Sequence, residues 1–97
     1  FSVSKVEPND LDGLFEASGE VEALCARLCA LRAGPTERLR IQFVHEQASE
    51  AIQRLDAKAY SAFNEEFHAL IYTGCHNRTL EDVAVGLRQH CAAAAPA

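Results

Sequence analysis

No apolar run in this 97-residue sequence approaches the roughly 18 residues needed to cross a bilayer, so nothing in it reads as a membrane-spanning segment. Positive charge is also scarce, with 9 Lys and Arg against 14 Asp and Glu and a formal net charge of −5. A surface that grips duplex DNA needs a basic footprint, so this chain by itself is expected to bind DNA poorly. There is no signal peptide, and the four cysteines (Cys25, Cys29, Cys75, Cys91) are therefore expected as reduced thiols of a cytoplasmic protein. Methionine is absent and the chain begins at Phe1, as expected of a mature fragment or an excised domain. Also missing are a nucleophile with its base, a glycine-rich phosphate cradle and a Cys-x-x-Cys pair, so an enzyme is not favoured. A metal-dependent hydrolase would need an open site with several ligands and a base, which these residues do not supply.

What is present is globular: 48% of residues are apolar and 24% charged, in a length that suits one small core. Residues 1–9 read as an extended lead-in ending near Pro8, with Asn9 or Asp10 as N-cap of a first helix. That helix carries a 3.6-period stripe (Leu11, Leu14, Phe15, Val21, Leu24, Cys25, Leu28, Cys29, Leu31), with Ser18-Gly19 as a candidate kink or break. Gly34-Pro35-Thr36 reads as a stop and restart that makes a helical hairpin, with Thr36 capping the second helix. The second helix would bury Ile41, Val44, Ala48, Ala51, Ile52 and Leu55. Asp56 then caps a third helix that ends near Thr73-Gly74, with Tyr60, Phe63, Phe67, Leu70 and Ile71 as its buried face. Thr79 and Asp82 have the form of a capping box for a fourth helix with Leu80, Val83, Ala84, Leu87 and Cys91 inward. No strand pattern competes and no internal repeat is visible. The fold class is all-α, an antiparallel bundle of about four helices.

Two polar residues stand out beside the third stripe. Asn64 and His68, at i and i+4, point the same way at the rim of a core. One reading is a core-edge histidine bonded to a neighbouring helix. The other is a ligand pair, because an imidazole nitrogen and an amide oxygen can share a metal ion or bind an acidic ligand inside a bundle. Cys25 and Cys29, one turn apart on an apolar stripe, read as small hydrophobes rather than zinc ligands. His45, His76 and His90 have no partner that spacing alone identifies.

The ordered set Leu14-Phe15-Glu16, Glu22, Ala26-Arg27-Leu28-Cys29-Ala30, Gly34-Pro35-Thr36, Asp56-Ala57, Phe67-His68 and Gly74-Cys75-His76-Asn77 before Leu80 resembles the FCD domain, the effector-binding domain of FadR-like regulators of the GntR family. The resemblance covers about residues 10–92, leaving 93–97 as a tail. It implies a bacterial transcriptional regulator that binds a small metabolite, often an organic acid, and a homodimer that meets DNA only through a winged-helix domain not in this chain. It also implies that His68 is a metal ligand, for zinc or nickel, with Asn64 beside it. Tyr60 and Tyr72 are further candidates for lining an effector pocket. Asn64 stands where the family commonly has aspartate, which should weaken metal binding, and Ser18 stands where many members have arginine. The family's last helices, with two further histidine ligands, are expected to be absent. The competing reading is a helical interaction or dimerisation module with no ligand.

Overall fold

The computed structural model describes residues 10–94, which form four helices and no strand: α1 (Leu11–Arg32), α2 (Pro35–Gln53), α3 (Ala57–Gly74) and α4 (Arg78–Ala94). The expected lead-in 1–9 and residues 95–97 of the expected tail lie outside the described residues, and α4 runs two residues into that tail. The all-α bundle is as expected.

Helix ends follow local chemistry, with three changes from the pattern reading. At α1 the N-cap is Asp10, although its side chain makes no capping hydrogen bond. Ser18-Gly19 does not break α1, which runs unbroken for 22 residues; Ser18 is buried, so packing outweighs the glycine's poor helix propensity. Gly34, not Thr36, is the N-cap of α2, with Pro35 at the first helical position and the Glu37 carboxylate accepting from Gly34 N–H at 3.0 Å. Asp56 caps α3 as expected, accepting from Ala59 N–H at 3.0 Å. In α4 the cap is Asn77, whose Oδ1 accepts from Leu80 N–H at 3.0 Å, so Thr79 lies inside the helix.

Two non-glycine residues, Leu55 (φ 57°) and His76 (φ 53°), take the left-handed conformation just after α2 and α3. Around Leu55 the chain closes in a Schellman arrangement, Asp56 N–H to Ala51 O at 2.9 Å and Leu55 N–H to Ile52 O at 3.0 Å. Leu55 therefore leaves the helix and is 91% exposed, and Ile52 is exposed with it, against the expectation that both face inward. What α2 does bury is Val44, Ala48 and Ala51, small residues that let α3 lie close alongside.

Helix α3 is the hub: α1, α2 and α4 all pack on it, and α1 also packs on α4. The expected hairpin of α1 with α2 does not form, because these two helices do not pack on each other. Ala33 (ψ 135°) and Gly34 (ψ 172°) are both extended and turn the chain away. Arg38 pins this corner, donating from Nε to Ala33 O at 2.9 Å and from Nη2 to Ala30 O at 2.5 Å. The result is a flattened bundle of 39 × 33 × 16 Å.

The core is small. Cys25, Tyr72, Cys75 and Ala84 form its centre, with Val21, Leu28, Ile71 and Leu80 packed around them. On α3 the buried side is set by Tyr72 and Gly74, while Tyr60 is over a third exposed and Phe63, Phe67, Leu70 and Ile71 are half-buried, so the expected stripe is only partly covered. Phe15, Leu24 and Leu31 on α1 are likewise exposed. A bundle this small has too little interior to cover every apolar stripe.

Candidate functional site

Between α3 and α4 opens a cavity of about 460 Å³, with Glu65, His68 and Tyr72 on one wall and Val85, Arg88 and Gln89 on the other. The three α3 residues fall at i, i+3 and i+7, one face of the helix. Beneath them α1 contributes Glu22, which follows Ser18 by one turn and precedes Cys25 on the buried side of α1.

These groups form one connected network. Arg88 donates from Nη2 to Glu65 Oε1 at 2.8 Å and from Nη1 to Glu22 Oε1 at 3.3 Å. The Tyr72 hydroxyl donates to the same Glu22 oxygen, and His68 Nδ1 lies 3.9 Å from it. His68 also stacks loosely in a chain of rings, 5.9 Å from Phe67 and 6.2 Å from Tyr72.

Burial sets the protonation states here. The His68 imidazole is held below its ordinary range, by burial first and then by the Arg88 charge, with Glu22 and Glu65 offsetting only part of this. It is therefore neutral at pH 7. Burial, and then the bond to the Glu22 carboxylate, push the Tyr72 hydroxyl up, so Tyr72 stays a donor. Hydrogen bonding to Arg88 holds the Glu65 carboxyl below its usual value, and Glu65 in turn raises Arg88. With His68 neutral, the network carries two carboxylates and one guanidinium.

Of the residues singled out from sequence, His68 and Tyr72 meet in this cavity. Asn64 is half-buried one turn earlier and Tyr60 is further towards the start of α3; neither lines this cavity or the second one described below. Arg88, Glu65 and Glu22 are the partners that sequence reading did not place in the site. The signal for Glu22 was there: an acid one turn from a buried serine and three residues before a buried cysteine needs a partner.

Among the described residues no group of three or more His, Cys, Asp and Glu is arranged to hold a metal ion. In this cavity His68 faces Glu22, and that carboxylate already takes bonds from Tyr72 and Arg88. The Arg88 guanidinium bonded to both Glu22 and Glu65 opposes a divalent cation here. These residues do not by themselves fit a metal site.

A second cavity, about 410 Å³, fills the gap left between α1 and α2; Cys29 and Ala30 form one side, Ile41 and His45 the other, and Phe67 and Ile71 its floor. His45 leans on Phe67 with ring centroids 5.7 Å apart. His76 finds Glu37, with Nε2 2.8 Å from Oε1. The cysteines Cys25, Cys29, Cys75 and Cys91 are free thiols, and Cys25 is pushed up to about 11 by burial and by its neighbour Cys75. Buried thiols such as Cys25 and Cys29 pack as small hydrophobes and are poor nucleophiles.

The family model of the FCD domain matches residues 13–96. The chain belongs to the FCD family. FCD domains are typically the effector-binding and oligomerisation domains of GntR-type transcriptional regulators rather than enzymes, and the four-helix architecture agrees with that assignment. No curated protein and no solved structure matches the chain. Within this FCD domain no described helix is long and apolar enough to cross a membrane.

Proposed function

We propose that this FCD domain is the effector-binding and dimerisation part of a FadR-like regulator in the bacterial cytoplasm, and that a small metabolite carrying an acid group binds in the cavity between α3 and α4. The observation that carries this reading is the convergence of Arg88, His68 and Tyr72 on an open cavity of ligand size. Arg88 supplies planar donors suited to a carboxylate, His68 a neutral imidazole, and the Tyr72 ring an apolar wall. DNA contact would come from an attached winged-helix domain, and the ligand would act by favouring one dimer arrangement over another.

Calorimetric titration of the chain with a panel of small organic acids tests the proposal. Binding should appear for at least one acid and weaken at least about ten-fold in Arg88→Ala and in His68→Ala, each variant keeping its helical circular dichroism. Binding unchanged in both variants would refute this placement of the site. Exposed Leu31, Leu39 and Phe43 support self-association, and sedimentation should show a dimer at tens of micromolar.

A further inference from the structure

The charges around the cavity say more about the ligand than that it is an acid. Arg88 has five N–H donors. Among the described residues it spends only two of them, on Glu22 and Glu65. Among the described residues every hydrogen bond of the two carboxylates falls on one oxygen: Glu22 Oε1 takes Tyr72 and Arg88, and Glu65 Oε1 takes Arg88. Glu65 Oε2 is left free on the cavity wall, on a side chain 65% exposed. A guanidinium with donors to spare and a carboxylate with an oxygen to spare therefore stand side by side, joined through Nη2 and Oε1 at 2.8 Å. The remaining wall is mostly apolar, with Ala69, Val85 and Ala92 beside the Gln89 amide and the Cys91 thiol.

We infer that the ligand is a zwitterion of the α-amino-acid class with an apolar side chain, its carboxylate on Arg88 and its ammonium on Glu65. This rests on the effector reading above and narrows it. A simple acid would place a third carboxylate around one guanidinium, because neutral His68 adds no charge. A simple amine would leave the Arg88 donors unfilled. A zwitterion fills both sets without changing the net charge, and its two charged groups sit as close together as Arg88 and Glu65 do.

The test is a melting-temperature and calorimetric screen of the whole chain at pH 7. The probes are the twenty standard amino acids, each beside its des-amino carboxylate and its decarboxylated amine. At least one apolar amino acid should raise the melting temperature and bind at least about ten-fold tighter than both of its partners. Glu65→Gln, conservative at an exposed position, should erase the preference over the des-amino acid, and Arg88→Ala should weaken the amino acid itself. A des-amino acid that binds as tightly as its amino acid, or a preference that survives Glu65→Gln, would overturn the zwitterion inference and leave the acid-sensor reading standing. If no amino acid and no carboxylate binds at all, both fall.

Discussion

Adding one methyl group at Gly74 should be the most damaging small change in the protein. Gly74 is the last residue of α3, buried, and not in a left-handed conformation, so its reason for being glycine is space. A Cβ built there lies 2.6 Å from Cys29 Sγ, with Cys29 Cβ at 3.7 Å and Ala33 Cβ at 3.9 Å. Non-bonded heavy atoms rest near 3.5–4.0 Å, so α1 and α3 must part by about 1 Å or the thiol must leave its rotamer. Cys29 is buried and its sulfur has no flexible stem to retreat along. Overpacking of this kind costs about 1–3 kcal/mol. For a domain this size that lowers the melting temperature by roughly 5–20 °C.

Urea unfolding followed by circular dichroism measures it, with Gly19→Ala as the control. A Cβ at Gly19 meets nothing within 4 Å, so that substitution should instead stabilise by up to about 1 kcal/mol through helix propensity alone. Cys29→Ala removes the obstructing sulfur, so Gly74→Ala should cost much less in that background than in the wild type. Coupling of about 0.5–3 kcal/mol between the two is the expected signature. If Gly74→Ala is as stable as the wild type, or the cost is the same with and without the Cys29 sulfur, the close α1–α3 contact is wrong.

Leu55→Gly should stabilise by several tenths to about 1 kcal/mol in the same assay, since a leucine with 91% exposure contributes little packing and φ 57° strains a side chain. Destabilisation would mean that Leu55 is covered in solution. Lowering pH should weaken the fold from about 6.5 downward, because His68 binds its proton more readily unfolded than folded; its contribution is intact above the ordinary value of 6.5 and is lost as pH falls through the depressed folded one. His68→Gln should flatten the stability profile between pH 7 and 5, and an unchanged slope would remove His68 as its source. Zinc or nickel should leave the melting temperature unmoved, whereas a saturable rise that His68→Ala abolishes would show a metal site that the described donors do not make.

Much of this was legible in the sequence, for identifiable reasons. The four helices and their turns announce themselves through period and punctuation, and Asp56 capped where its position implied. Caps were misplaced where two candidates stood within two residues: Asn77 rather than Thr79, Gly34 rather than Thr36. Periodicity marks which side of a helix is apolar but not whether a neighbour arrives to cover it, which is why Phe15 and Ile52 lie open. The missing α1–α2 hairpin has the same origin, since a short loop fixes proximity of ends and not the angle between axes. His68 and Tyr72, which line the cavity together, were singled out because aromatic and imidazole groups stand out on an apolar stripe. Arg88 was not, because a charged residue at the edge of α4 looks like an ordinary solvated one until Glu22 arrives from 66 residues away.

The adjacent pair Phe67-His68 divides the molecule in two. Successive helical residues point about 100° apart. His68 and Tyr72 accordingly face the polar cavity beside α4, while Phe67 and Ile71, each one position earlier, floor the groove between α1 and α2. Helix α2 packs on α3 and on no other helix, and is otherwise held at its first turn by Arg38 on the end of α1 and by Glu37 on His76. A ligand bridging Arg88 and Glu65 would act on the α3–α4 spacing directly. Because α3 is the only helix that α2 rests on, movement of α3 against α4 must either carry α2 with it or open the Phe67 groove. Either outcome would change the exposed Leu39 and Phe43 surface relative to α1 without any contact between that surface and a ligand.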